Sequence, residues 1–296
     1  MPAVTVVIPT FNRRTLLLEA VDSVRAQTFG DWELVVADDG SADGSMEAVE
    51  ALDDARIRVL RLPRTGNVAA VRNAGVRAGS GAWVAFLDSD DVWMPAKLAV
   101  QLAATQAAGV RWSYTGLELM DDAHRTVPFR AGGFAPLSGR ILRELLAMET
   151  GASISTLLVA RTLLEEVGGF DEALSWRADL DLAIRLAEHA PVLAVDQVLS
   201  RMREHAGRST AAVQSPHEQT LRVYERFLAR ERAPALRRVA MTRCGELLTD
   251  GAAWSAAHGR TRQAVGLLRR ALAYDPPPAR WLRAAAAVTL RGLRLR

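Results

Sequence analysis

Residues 4–8 (VTVVI) form a β-branched apolar run closed by Pro9, the pattern of a strand buried on both faces. Leu17, Ala20, Val21 and Val24 then recur at helical spacing within residues 14–27. Residues 33–37 (ELVVA) make a second buried run that ends in Asp38-Asp39-Gly40-Ser41, and Asp43 is placed to cap a helix running to Leu52. A third strand is expected at 57–61, a helix at 67–78, a fourth strand at 83–87 and a helix at 94–108. Strand and helix alternate four times, which predicts a doubly wound α/β sheet. Such sheets bind ligands beyond the carboxyl ends of their strands. Two of those ends carry acid: Asp38/Asp39, and Asp88-Ser89-Asp90-Asp91 after the fourth strand.

The rhythm then changes. Residues 111–119 and 154–160 read as strands, 168–170 (GGF) as a turn, and 192–203 as extended chain. Residues 178–189 read as a helix with Leu180, Ala183, Ile184 and Ala187 on one side. The polar stretch 121–138, rich in Pro and Gly, is a long loop of the kind that often serves function. Beyond Pro216 the chain is helical in character. Gly259, Ala264, Ala271 and Pro276 fall at the spacing of a tetratricopeptide hairpin. One such repeat cannot bury its own face, so it needs a surface to pack on. The domain boundary is set at 230–234, with 214–216 as a competing break, giving domains of residues 1–230 and 231–296.

Composition adds an asymmetry. The 296 residues suffice for one large domain and a smaller one, and 49% apolar against 24% charged argues against disorder. Residues 215–296 hold 16 Arg and 6 acids, net +10, whereas residues 1–214 hold 21 basic and 28 acidic residues, net −7. An acidic front suits a metal site; a basic tail suits an anionic membrane or a protein partner, or is a set of solvated helix faces. Nucleic acid is not among the expected partners. Cys244 is the single cysteine, which rules out an intramolecular disulfide, suits a reducing compartment and reads as a small core residue. Residues 1–10 lack the charged and apolar regions of a secretory leader, and no apolar run approaches the ~20 residues of a span. The expected location is cytoplasmic, with room for peripheral contact at the inner face of a membrane.

Asp88 and Asp90, two residues apart at a strand end, can share a hard divalent cation and a ribose; the bland reading is a solvated acidic turn. Asp39 can accept from a base N–H or a ribose hydroxyl, or simply form a turn before Gly40. Arg72 and His205 can hold a diphosphate or its metal, or lie unengaged on the surface. Asp179 and Asp181 open a helix, where acids offset the macrodipole, and either is also placed to act as a general base.

In one order along roughly the first 205 residues, VVIPTFNRR, SVRAQTF, WELVVADDGSADGS, AVRNAG, GAWVAFLDSDDVWMPAKL, GGFDE, RADLDLAIRL and RMREH resemble the family 2 glycosyltransferases of GT-A fold. The resemblance implies a doubly wound mixed α/β sheet and roles residue by residue. Pro9, Thr10, Phe11 and Asp39 would hold the nucleotide base. Asp88 would lie near the ribose, Asp90 would ligate the metal (Mn²⁺ or Mg²⁺), and Arg72 and His205 would lie near the diphosphate or metal. Asp179 matches the family's catalytic base, although Ala178 stands where the family usually has Glu. The implied reaction is inverting transfer from a nucleotide diphosphate sugar, UDP-sugar foremost, to an acceptor hydroxyl on a glycan, lipid-linked sugar, natural product or peptide. Two other readings are a degenerate transferase serving as a scaffold and a sugar-1-phosphate nucleotidylyltransferase. The latter lacks its phosphate-cradling loop, because Pro9-Thr10-Phe11-Asn12 contains no glycine.

Overall fold

The computed structural model describes residues 1–128, 136–174, 176–204, 216–274 and 276–294. They fall into two compact units, Met1–Leu142 with Thr150–Arg208, and Arg143–Glu149 with Ser209–Arg296.

The first unit is built on β1 (Val4–Thr10), α1 (Arg14–Arg25), β2 (Trp32–Asp38), α2 (Ser45–Glu50), β3 (Ile57–Arg61), α3 (Val68–Ala78), β4 (Trp83–Phe86), β5 (Val92–Trp93) and α4 (Lys97–Ala107). It continues with β6 (Trp112–Met120), β7 (Thr126–Val127), β8 (Leu158–Ala160), α6 (Arg161–Glu166), α7 (Ala178–His189) and β9 (Leu193–Arg203). The strands form one sheet in the order β3-β2-β1-β4-β8-β6-β9-β5, with β7 on β6. Strands β3, β2, β1 and β4 run parallel, and β8 is antiparallel to both β4 and β6, so the sheet is mixed. All seven residues of β1 are buried, as its uninterrupted apolar pattern predicts for a central strand. Val4, Val6 and Ile8 meet Leu17, Val21 and Val24 of α1 in one core cluster, where each large side chain contributes about 1.5–3 kcal/mol by leaving water.

Some expectations shift in detail. Residues 154–160 split into a 3₁₀ turn (Ile154–Thr156) and β8, and residues 121–138 contain β7, with 129–135 outside the described residues. Gly44, in a left-handed conformation, is the residue that caps α2; Asp43 instead accepts from the Ser45 backbone N–H at 3.1 Å.

The second unit comprises α5 (Leu142–Leu146) from its second residue on, α8 (Pro216–Arg230), α9 (Pro234–Ala257), α10 (Thr261–Ala271) and α11 (Pro278–Arg294), with α8, α10 and α11 all packing on α9. Helix α8 therefore groups with the later helices rather than with residues 1–230. It buries Leu221, Val223, Tyr224 and Phe227, and the Tyr224 hydroxyl donates to the Leu146 carbonyl at 2.9 Å. Mid-helix Gly245 is explained by Pro276: a Cβ there would lie 2.8 Å from the proline Cα. Cys244 is buried in α9 and burial pushes its thiol up to about 12, which suits packing and not nucleophilic attack. Among the described residues no helix is long and apolar enough to cross a membrane.

Candidate active site

Two acidic corners flank the carboxyl end of β1, one after β2 and one after β4. The first is built around Asp39. Its backbone N–H donates to Thr10 at 2.9 Å, which ties it to the end of β1. Its carboxylate accepts from the Thr65 N–H (2.7 Å), the Thr65 hydroxyl (2.8 Å), the Gly66 N–H (2.9 Å) and the Arg64 guanidinium. Burial pushes the carboxyl up, but the bonds from Thr65 and Gly66 and the charge of Arg64 outweigh it and hold the pKa below the ordinary value. Arg64 also lies 3.5 Å above the Phe11 ring. Asn12 fastens the loop after β1 to the loop after β2, accepting from the Ala42 N–H at 2.8 Å and donating its own N–H to Ser41 at 2.8 Å. Pro9 and Thr10 end β1 as buried residues, and the Thr10 hydroxyl makes no hydrogen bond among the described residues. The corner thus presents an aromatic face beside a carboxylate, a pairing suited to a planar heterocycle with an N–H.

The second corner follows β4. One carboxylate oxygen from each of Asp88, Asp90 and Asp91 lies within 4.8 Å of the others, the one such cluster among the described residues. Asp88 pairs with Arg72 at 2.6 Å, Asp90 with Arg13, and Asp91 accepts from the Ser155 hydroxyl at 2.6 Å and the Arg203 N–H at 3.1 Å. Ser155 also accepts the Asp88 N–H at 3.1 Å, so one hydroxyl braces both ends of the turn. Arg203, nearly fully buried, donates its Nε to the Asp90 carbonyl at 3.2 Å and pairs with Glu19. Burial raises the Asp88 carboxyl, with Asp90 and Asp179 pushing the same way and Arg72 opposing. Asp91 is raised further, by burial and then by Asp88 and Asp90. Three oxygen donors whose negative charges repel suit a hard divalent cation, which relieves that repulsion.

The third part arrives with α7. The turn before it is bolted to α3. Asn73 accepts the Phe170 N–H at 2.9 Å and donates to the Phe170 carbonyl and the Glu172 carboxylate, both at 2.9 Å, while Asn67 donates to the Glu172 carbonyl at 2.6 Å. Gly169 has φ +68, and a Cβ there would lie 2.8 Å from the Asn73 amide oxygen, so the turn admits no side chain. Arg185 closes it from the other side, donating to Asp181 and to the Val167 and Gly169 carbonyls at 2.6–2.7 Å. Asp181 is therefore a structural partner. Asp179, in the first turn of α7, is left half-buried and close enough for its charge to act on Asp88.

The structure thus gathers Arg72, Asp88, Asp90 and Asp179 at one end of the sheet, and Pro9, Thr10, Phe11 and Asp39 at the adjoining corner. His205 lies outside the described residues. Sequence reasoning missed Arg13, Ser155 and Arg203. Arg13 and Arg203 sit in the FNRR and RMREH stretches, whereas Ser155 carried no signal.

Comparison with known proteins bears on these corners. The family model described as Glycosyl transferase family 2 matches residues 5–145. The chain is 30% identical over 161 residues to the Escherichia coli UDP-Glc:alpha-D-GlcNAc-diphosphoundecaprenol beta-1,3-glucosyltransferase WfgD, covering 54% of this chain and 61% of that one. It resembles S. aureus TarS 1–349 in complex with UDP-GlcNAc (TM-score 0.70, 18% identity, 97% of this chain and 88% of that one). It also resembles the mannosyltransferase PcManGT from Pyrobaculum calidifontis in complex with GDP-Man and Mn2+ (TM-score 0.63, 20% identity, 97% and 80%). These likenesses show the GT-A fold. The chain spans between 34% and 61% of the length of the first curated relatives it matches.

Proposed function

Because the chain belongs to glycosyl transferase family 2, we propose that it moves a sugar from a UDP-sugar to an acceptor hydroxyl, with inversion and with a divalent cation. The observation that carries this reading is the meeting of a crowded acidic corner with an aromatic–carboxylate corner and a carboxylate on a separate helix.

The Phe11 face and Asp39 would take the base, with Arg64 moving aside, since the four donors on Asp39 already fill its acceptor sites. Asp88 would face the ribose, beside the Arg72 guanidinium. Asp90 would hold the cation together with His205, with Asp91 braced behind it by Ser155 and the Arg203 N–H. A bound Mn²⁺ or Mg²⁺ supplies charge neutralisation to the departing diphosphate. Asp179 would take the acceptor hydroxyl's proton as that oxygen bonds to the anomeric carbon and the bond from that carbon to the diphosphate oxygen breaks. Attack from the face opposite the leaving group inverts the centre. WfgD acts, by its name, on a lipid diphosphate-linked sugar, and an acceptor of that chemistry is the one we assign here.

The test is a thermal-shift panel of UDP-, GDP- and TDP-sugars with and without Mn²⁺. A ligand that binds only the folded state raises its apparent stability. The expected result is a cation-dependent shift confined to the UDP series. No shift with any donor would favour the scaffold reading.

A further inference from the structure

We propose that the α10–α11 end of the second unit is a docking surface for an anionic lipid bilayer. The observations do not depend on the reaction proposed above. Among the described residues, Leu272 and Leu282, each 62% exposed, are the most exposed large hydrophobic side chains after Met1. Leu272 follows the last residue of α10, and Leu282 lies in the second turn of α11. The Trp281 indole donates to the Leu268 carbonyl at 3.2 Å, which holds that part of α11 beside the end of α10. Both leucines therefore belong to one end of the helical pair.

Helix α11 is apolar on its buried side and uncharged on the side opposite. Ala284 and Val288 are buried, and on the opposite side, at helical spacing, Leu282, Ala286 and Thr289 are exposed. A helix at a water surface ordinarily carries charge along its outer face, whereas among the described residues Arg283 is the one exposed charged residue of α11. The charge is instead on the flanks and of one sign. Neither α10 nor α11 contains an acidic residue, and residues 260–296 hold nine Arg and one acid, Asp275. Arg270 and Arg280 are paired, with Glu225 (3.5 Å) and with Glu246 and Asp250 (both 2.9 Å). Arg262, Arg269 and Arg283 are exposed and make no ion pair among the described residues.

Exposed leucines beside unpaired arginines match an interfacial membrane contact, in which apolar side chains enter the acyl boundary and cations meet anionic headgroups. A second copy of the chain would set arginine against arginine, which repels. A soluble polyanion would use the arginines and leave the leucines in water. A bilayer uses both.

The experiment is flotation of the full chain with vesicles of phosphatidylcholine alone or mixed with phosphatidylglycerol. The expected result is flotation with the mixed vesicles only, reversed by high salt. Arg269→Glu with Arg283→Glu should lower partitioning at least ~25-fold, since each arginine near an anionic surface is worth roughly fivefold. Leu272→Ser with Leu282→Ser should lower it at least ~100-fold if both side chains leave water on binding. All four positions are exposed, so both variants should keep the parent's thermal melt. Equal flotation on both lipids, no flotation, or unchanged binding by either folded double variant would overturn the proposal. So would a dimer of the full chain that the leucine variant dissociates, which would assign the surface to self-association.

Discussion

The loops after β2 and β4 both begin with acid, and the two behave in opposite ways. After β2, the Asp39 carboxylate is surrounded by donors from Arg64, Thr65 and Gly66 and is held below the ordinary carboxylate value. After β4, Asp88, Asp90 and Asp91 crowd one another, and burial with mutual repulsion raises Asp88 and Asp91. The first corner has its charge matched by the protein; the second is left short of positive charge. Residue type alone therefore does not distinguish the carboxylate proposed to hold the base from those proposed to hold the metal. The number of donors within reach does.

The largest effect that sharpens this contrast is expected at neither corner. Asp179→Asn should lower donor turnover by about 10²–10⁴-fold, the usual worth of a positioned general base, while UDP binding stays unchanged. UDP release on slow donor hydrolysis or transfer measures the first, and calorimetry the second. Unchanged turnover would remove Asp179 as the base.

Next comes a paired test of the corners. Mn²⁺ alone should raise the melting temperature of the parent and of Asp39→Asn, and should fail to raise that of Asp90→Ala. A shift retained in Asp90→Ala would mean that the corner after β4 is not the metal site. Ser155→Ala probes the brace behind that site. Losing a group that orients metal ligands typically costs 10–100-fold in metal affinity, and leaving the Asp88 N–H without its acceptor costs about 1–3 kcal/mol of stability. Mn²⁺ titration and chemical denaturation read the two separately; parent-like values in both would show that the brace is idle.

The smallest expected effect is in pH dependence. The folded pKa of Asp39 is depressed, so its contribution to stability is fully present above the ordinary value of 3.8 and is lost as pH falls through the folded pKa. The stability gap between the parent and Asp39→Asn should be constant at neutral pH and close below pH 3.8. A gap that widens on acidification would reverse the assigned sign.

Much of this architecture was legible in the sequence because long buried runs announce themselves. Val4–Thr10, Trp32–Asp38 and Ala178–His189 each carry enough apolar residues at one period to fix element and type. Val92–Trp93 and Thr126–Val127 are two residues long and have no period to detect; only their pairing with β9 and β6 makes them strands. The residues gathered at the site were readable as strand-end acids and as parts of a family pattern. Their partners were not, because Arg13, Ser155 and Arg203 reach Asp90 and Asp91 from 64 to 113 residues away. The grouping of α8 with the later helices matches the competing break at 214–216 and not the boundary set at 230–234; an amphipathic pattern shows that a helix packs and not on what.

The most direct test of the central claim, that the corner after β4 joins cation and donor, is calorimetric titration of UDP into the full chain with and without Mn²⁺. The account predicts binding at least about tenfold tighter with Mn²⁺, with the metal bound more tightly by the same factor when UDP is present, as linkage requires. Equal UDP affinity in both conditions would contradict it.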